Sequence, residues 1–313
     1  MGAHPLSVWL AFTGLVGALL ILDLAVLNRR SHVLPMKEAL TWSGSLVLLA
    51  LGFGLFLISR EGVPHGLEFY TGYLIELSLS VDNLFVFILV FQYFGVPAEL
   101  QPRVLKWGIL GAIVMRLAMI MLGAALLQRF SWIIYVFGAI LIITGIRMAR
   151  TSSDETVDPE RNPVARLARR FLPFTSTYDG QKFWTRAGGS LAATPLLLVL
   201  LVIEWTDLVF AIDSIPAIFA ITRDPFLVYS SNIFAILGLR ALYFVLAGML
   251  DRFVYLKTGV AFILVFVGFK MVVSGWFHIP ILISLGVIVL SLALAIVISL
   301  RVPPNGASTA AGA

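Results

Sequence analysis

Apolar segments of membrane-spanning length dominate this sequence and constrain its fold more than any other feature. A transmembrane helix needs about 20 consecutive apolar residues, and the 313-residue chain contains nine such segments. Charged residues make up only 12% of the chain, about half their share in a soluble domain. We therefore predict an all-α polytopic membrane protein, in which the basic net charge is no sign of nucleic-acid binding. The predicted helices cover residues 6–27, 38–58, 66–91, 105–127, 131–149, 194–221, 226–249, 257–277 and 280–300.

The lysines and arginines predict the orientation of these helices, because basic residues concentrate on the cytoplasmic side. With the N-terminus outside, 16 of the 22 basic residues lie at cytoplasmic helix ends or loops, against three in outer loops. Arg29, Arg30 and Lys37 follow the first apolar segment rather than precede it, which indicates a signal-anchor helix. We expect a multi-pass protein of the plasma (inner) membrane with its C-terminus in the cytoplasm.

The chain divides into one transmembrane domain and a short tail. Residues 1–301 form the predicted domain, and residues 302–313 have the composition of a disordered segment. Within the domain, a polar segment at about 150–193 is predicted to be a cytoplasmic linker, whose basic part rests on anionic lipid headgroups.

Two halves of the chain repeat the same landmarks in the same order. Each half has two acids six residues apart, then an arginine, then a Gly-x-Arg/Lys-Met motif. We interpret this as a duplication of about 66–150 and 194–278, with three helices a copy. An odd number of helices inverts the second copy, and inverted repeats are typical of transporters with a site near the membrane midplane. The landmarks are Glu76, Asp82, Arg116 and Gly145–Met148, then Asp207, Asp213, Arg240 and Gly268–Met271.

Carboxylates near the centres of two apolar helices are the candidate site. Each costs roughly 3 kcal/mol at the bilayer centre, so five total about 15 kcal/mol, which rivals the stability of a whole protein. Arg116, Arg240 and Lys270 are the candidate charge-balancing residues and leave an excess of two negative charges. A divalent cation or two protons would neutralise that excess. The five acids are Glu76, Asp82, Glu204, Asp207 and Asp213.

The candidate ligands offer only oxygen, since the chain has no cysteine and its four histidines lie at predicted helix ends. This set favours Mg²⁺, Ca²⁺ or Mn²⁺ over zinc or copper, with protons as a second candidate partner and no organic cofactor. Glu68 and Asp23 are candidate entry or accessory residues. The predicted metal ligands are Glu76, Asp82, Asn83, Glu204, Asp207, Asp213, Ser214 and Asn232.

Helix geometry raises a difficulty for this site. Six residues of unbroken helix turn through about 600°, so Glu76 and Asp82 would face about 120° apart. A local break would bring them together, and the pairs Asp82-Asn83 and Asp213-Ser214 are suited to cap a helix. Pro216 would fall in the first turn that follows the second pair.

Two other interpretations stay open. The acids could form structural ion pairs with the arginines, in a scaffold that assists assembly of membrane or secreted proteins. Alternatively, Asp82 and Asp213 could form the shared-proton dyad of an intramembrane aspartyl protease. The Gly-x-Gly-Asp pattern of such proteases is missing, because Asp213 follows "FAI" and Asp82 follows "LSV".

Several long motifs resemble the TerC family of integral membrane proteins, especially its Alx-type members, and more distantly the LysE transporter superfamily. They are "ELSLSVDNLFVF", "RVLKWGILGAIVMR", "EWTDLVFAIDSIPAIFAITRDPF" and "SSNIFAILGLRALYF", and the resemblance extends over about residues 7–300. It implies a manganese exporter rather than an enzyme, with Glu76, Asp82, Asp207 and Asp213 as the acidic positions. The family often has a histidine before the Arg-Val-Leu of the fourth helix, where this chain has Gln101-Pro102. Some relatives are linked instead to metalation of secreted enzymes or to membrane-protein assembly.

Overall fold

Ten α-helices and one small antiparallel sheet make up the described part of the chain. The structure is a computed structural model that describes residues 4–22, 35–130, 132–150, 162–187, 190–247, 255–277 and 279–301, apart from the side chains of Asp82 and Leu300. The helices are α1 (Leu6–Ile21), α2 (Met36–Glu61), α3 (Val63–Tyr93), α4 (Gln101–Arg129), α5 (Ile133–Arg150), α6 (Pro163–Phe171), α7 (Pro195–Phe219), α8 (Pro225–Ala247), α9 (Leu256–Val273) and α10 (Ile281–Arg301). Strands β1 (Trp184–Ala187) and β2 (Ser190–Ala193) pair in antiparallel register.

The prediction of an all-α polytopic membrane protein is confirmed. Within the described residues, eight helices are long and apolar enough to cross a membrane, and α1 is a shorter apolar helix. The polar segment at about 150–193 is more ordered than the predicted linker, because it contains α6 and the β-hairpin. Helix α6 begins where the Asn162 side chain accepts hydrogen bonds from two backbone amides and Pro163 opens the first turn. The predicted disordered tail, residues 302–313, lies outside the described residues.

Different contacts hold the helices together at the two ends of the bundle. At the end formed by residues 94–100 and 162–194, which we call the loop end, Tyr178 donates a hydrogen bond to the carbonyl oxygen of Phe94 at 2.9 Å. At the opposite end, which we call the far end, His4 lies 3.0 Å from a carboxylate oxygen of Asp224 and 3.7 Å from one of Glu61. These contacts join the start of α1, the end of α2 and the turn before α8.

Both acidic helices are continuous. The break near Asp82 or Asp213 that would bring the paired acids together is absent, since α3 runs unbroken from Val63 to Tyr93 and α7 from Pro195 to Phe219. Pro216 lies inside α7 rather than at the start of a new helix. A proline removes one helical hydrogen bond, and here α7 ends within a turn of that position. In the second pair, Asp207 and Asp213 therefore face different neighbours.

The backbones of α5 and α9 approach each other closely where the helices cross, because glycines lie at the crossing. A Cβ atom at Gly138 would lie 2.8 Å from the carbonyl oxygen of Gly268, and one at Gly145 would lie 2.7 Å from that of Ala261. In the repeat predicted from the sequence, Gly145 corresponds to Gly268, so Gly138 corresponds to Ala261. If each residue is replaced by its equivalent in the other copy, the first contact becomes the second. A two-fold relation between the copies would require this pattern. The inverted repeat stays a prediction, and this reciprocal crossing supports it.

Candidate functional site

A buried arginine joins four helices in the interior of the bundle. Arg116 of α4 is fully buried, and its Nη2 and Nε donate to the two carboxylate oxygens of Asp207 in α7, at 3.0 and 3.3 Å. Its Nη1 donates to Oδ1 of Asn232 in α8 at 3.1 Å and also forms an ion pair with Glu76 of α3. We call these four residues the arginine cluster. The cluster brings an acid of α3 and an acid of α7 to the same guanidinium.

The geometry of the arginine cluster explains how two carboxylates are accommodated among apolar helices. Glu76 and Asp207 are 0% and 3% exposed, so each would be costly without a counter-charge. The planar guanidinium meets Asp207 with two parallel hydrogen bonds, a geometry that lysine cannot reproduce. One guanidinium facing two carboxylates nevertheless leaves an excess of negative charge.

Several buried polar atoms around the cluster have no hydrogen-bond partner in the described part of the chain. They lie on α3, α7 and α8, which also carry cluster residues: the second carboxylate oxygen of Glu76, Ser80 Oγ, Asn83 Nδ2, Ser214 Oγ and Asn232 Nδ2. Buried polar atoms are normally paired with protein groups, water or an ion. Water molecules, or a bound cation at the oxygen atoms, would pair with these atoms.

A third carboxylate adjoins the cluster. Glu204 precedes Asp207 by one turn of α7 and lies directly against Gly111 of α4, where any Cβ atom would collide with the carboxylate. Glu204 and Asp207 both line a small cavity of about 10 Å³ between α3, α4, α7 and α8, which has room for about one water molecule. The absent side chain of Gly111 thus makes the space that Glu204 occupies.

The predicted ligand Asp213 has its hydrogen-bond partner outside the arginine cluster. Asp213 stays a predicted ligand; in this structure it accepts a hydrogen bond from Thr144 of α5 at 2.9 Å and does not pair with Arg116 as Asp207 does. The reason is the continuity of α7, which turns the two acids about 120° apart. The side chain of Asp82 and all of Asp23 lie outside the described residues. Over the residues that are described, no group of three or more His, Asp or Glu side chains is arranged to hold a metal ion.

The other two predicted charge-balancing residues lie on α8 and α9. Arg240 is buried in α8, 3% exposed. Lys270 lies instead beside a cavity of about 370 Å³ at the far end, together with Glu68 and Arg223, and donates to Ser284 of α10 at 2.9 Å. Lys270 therefore does not neutralise the central acids, because its side chain points to the end of α9. Glu68 lines the same far-end cavity, and its role as an entry residue stays a prediction.

Sequence reasoning missed two residues that shape the site. Thr144 carries no charge, and nothing in the pattern of α5 distinguishes it from a threonine bonded to its own helix. Gly111 is one of two glycines in "GILGA". Its contact with Glu204 depends on the rotation of α7 against α4, which the sequence does not reveal.

Comparison with known proteins identifies the family. The profile described as "Integral membrane protein TerC family" matches residues 61–306, a range that contains the whole arginine cluster. This chain belongs to the TerC family. TerC relatives of nearly the same length include "Uncharacterized membrane protein STKORF319" of Myxococcus xanthus, 51% identical over 294 residues, which cover 94% of this chain and 92% of the relative.

A second TerC relative is "Putative membrane-bound redox modulator Alx" of Escherichia coli (strain K12), 50% identical over 289 residues, which cover 90% of each chain. A third, an "Uncharacterized membrane protein" of Rickettsia felis, is 42% identical over 292 residues, which cover 93% of this chain and 97% of the relative. No solved structure matches this TerC chain. The resemblance read from the sequence motifs is confirmed.

Proposed function

We propose that this chain exports divalent metal cations, Mn²⁺ foremost, through the arginine cluster and the cavity beside Glu204. One observation carries the proposal: acids of α3 and α7 converge on a single buried arginine, with a third carboxylate and a small cavity next to them. Three carboxylates and one guanidinium leave two negative charges when all are ionised. One divalent cation matches that excess.

In the proposed mechanism, Arg116 is a tethered counter-ion that the metal displaces. Asp207 and Glu76 are already paired with Arg116, so a cation first meets Glu204 at the cavity. Movement of the guanidinium would then free the other two acids as ligands. Oxygen ligands of this kind suit a hard cation such as Mn²⁺, and the family resemblance supports Mn²⁺ among the hard ions. Protons that leave the same acids when the metal binds would couple the two movements.

The proposed direction depends on the orientation predicted from the basic residues. In that orientation the N-terminus is outside the plasma membrane and the loop end faces the cytoplasm. The cavity beside Glu204 lies toward the loop end, because Leu105 near the start of α4 is among its lining residues. The far-end cavity with Glu68 and Lys270 would then be the outer vestibule.

The name of the E. coli relative points to redox chemistry, which this chain cannot perform through thiols. Thiol–disulfide exchange needs a cysteine thiolate, and the 313 residues include no cysteine. The three-carboxylate arrangement around Arg116 instead favours a charge-carrying function.

The test is metal flux in vesicles that contain the purified full-length protein and an internal Mn²⁺-sensitive dye. Glu204→Gln is the decisive variant, because it removes a carboxylate at the cavity and leaves the Arg116 pairs intact. We expect flux to fall about tenfold or more, by analogy with the loss of groups around metal sites. Glu99→Gln is the matched control, since Glu99 is an exposed acid in the turn between α3 and α4.

The outcomes separate the parts of the proposal. Flux by Glu204→Gln at the wild-type rate would refute the site. Wild-type vesicles without any Mn²⁺, Ca²⁺ or Mg²⁺ flux would refute transport and leave the arginine cluster as the structural core of an assembly or metalation factor.

A further inference from the structure

Helix α6 has the pattern of a helix that lies in a membrane surface. Arg166, Arg169 and Arg170 share one face at helical spacing, and Leu167 and Phe171 lie on a separate face about 120° around the helix. All five side chains are exposed, with Leu167 at 56% and Phe171 at 71%. Large apolar residues this exposed are expected where lipid covers them, next to basic residues at the headgroup level.

The charge of the loop end strengthens this interpretation. The continuous segment from 162 to 187 has five basic residues and a single acid, Asp179. The segment is held to the bundle by defined contacts: Ala165 is buried against the core, and Arg103 at the start of α4 stacks over the ring of Phe183 at 5.2 Å. A positive surface is thus fixed at one level of the bundle rather than carried on a free chain.

A groove of about 580 Å³ opens beside α6, between the end of α3 and the start of α7. Its lining combines one arginine with hydroxyl groups and an apolar wall: Tyr93, Arg169, Ser176, Tyr178, Phe174 and Leu198. A phosphate group is well matched by a guanidinium and neighbouring hydroxyl donors, and an acyl chain by the apolar wall. The volume is that of a small-ligand site.

We propose that this groove binds one anionic phospholipid, with its phosphate at Arg169 and its acyl chain along Phe174 and Leu198. Arg166 and Arg170 add attraction for the surrounding anionic headgroups, and Phe171 anchors α6 in the acyl boundary. The site touches both α3 and α7, so the bound lipid stabilises the ends of the two acidic helices against each other. The inference is independent of the proposed metal transport.

The test uses the full-length protein in a neutral detergent, titrated with phosphatidylglycerol or phosphatidylcholine in mixed micelles. Thermal unfolding and native mass spectrometry report stabilisation and the number of lipids retained. We expect phosphatidylglycerol to raise the unfolding temperature and one molecule to be retained, and phosphatidylcholine to do neither. Basic residues near an anionic surface contribute about a fivefold change in affinity each, so Arg169→Gln should weaken phosphatidylglycerol binding about fivefold and the triple variant with Arg166→Gln and Arg170→Gln about a hundredfold.

Arg129→Gln is the matched control, because Arg129 is an exposed arginine at the other end of the bundle. It should bind phosphatidylglycerol as the wild type does. A second measurement needs no variant: added salt should weaken the phosphatidylglycerol effect, since exposed charges are screened. Equal responses to the two lipids, an equal loss in the Arg129 variant, or stabilisation by soluble glycerol phosphate alone would each overturn the proposal.

Discussion

Replacement of Arg116 is the perturbation that tests the interior of this protein most directly. At the 3.0 Å separation of Nη2 from the Asp207 oxygen, Coulomb attraction is roughly 5–6 kcal/mol at an effective dielectric constant of about 20. Desolvation offsets part of this, and loss of one partner of a buried ion pair typically costs about 3–5 kcal/mol. We expect Arg116→Met to lower the free energy of unfolding by that amount, because it leaves Glu76 and Asp207 without their counter-charge.

The measurement is equilibrium unfolding in mixed micelles of increasing dodecyl sulfate content, followed by tryptophan fluorescence. Arg116→Lys keeps the charge but not the two parallel hydrogen bonds, so its loss should be intermediate. Glu76→Gln with Asp207→Asn in the Arg116→Met background should recover more than half of the lost stability, since no charge is then stranded. A loss below about 1 kcal/mol, or no recovery in the triple variant, would refute the reasoning.

The same variant tests the proposed exchange of guanidinium and metal. Without Arg116 the acids carry a larger negative excess, so a divalent cation should stabilise Arg116→Met more than it stabilises the wild type. Stabilisation by Mn²⁺ that is equal in the two proteins would mean that the cation does not replace the guanidinium. The unfolding result above would be unaffected, so the two failures are distinguishable.

Three further changes have defined outcomes. Gly268→Leu should destabilise the α5–α9 crossing by about 1–3 kcal/mol in the same unfolding assay, whereas Gly286→Leu on α10, with open space around it, should not. Gly111→Ala should displace the Glu204 carboxylate, which ends a flexible side chain, so flux in the vesicle assay should fall with little loss of stability. Hydrogen bonds from Thr185 and then Lys182 lower the pKa of Asp179 below its ordinary value of 3.8; the stabilisation is present above that value and is lost as the pH falls through the lowered pKa. Proteolysis of the hairpin should therefore increase at acid pH in the wild type and change less in Asp179→Asn.

The membrane helices were predictable because their signal is local. An apolar run of about 20 residues is read from its own composition, and predicted segments such as 226–249 agree with α8, Pro225–Ala247, to within two residues at each end. Helix α6 was not predicted, because it has only nine residues, three of them arginines. It is too short and too polar to match an apolar segment of about 20 residues. Because its pattern is amphipathic rather than apolar, the sequence predicted a linker there.

The sequence indicated which residues form the site, but not which of them contact one another. Buried charge in an apolar helix marks Glu76, Asp207 and Arg116 from the sequence alone. Their partners depend on how far each helix is rotated about its axis, and a rotation of about 100° changes the neighbour completely. Asp213 was therefore assigned to the central site, although the unbroken α7 directs it to Thr144 of α5.

The four described central acids are accommodated in three different ways, and the difference identifies the residue at which a transported ion would first bind under the proposed function. Glu76 and Asp207 share a fixed guanidinium, and Asp213 has a hydroxyl donor on α5. Glu204 has neither in the described part of the chain and faces a cavity of about 10 Å³. A carboxylate that the protein does not neutralise itself, placed one helical turn from the paired acids, is the group that a cation or a proton would neutralise. Loss of Glu204 should therefore impair transport more than it impairs folding, and loss of Asp207 should impair both.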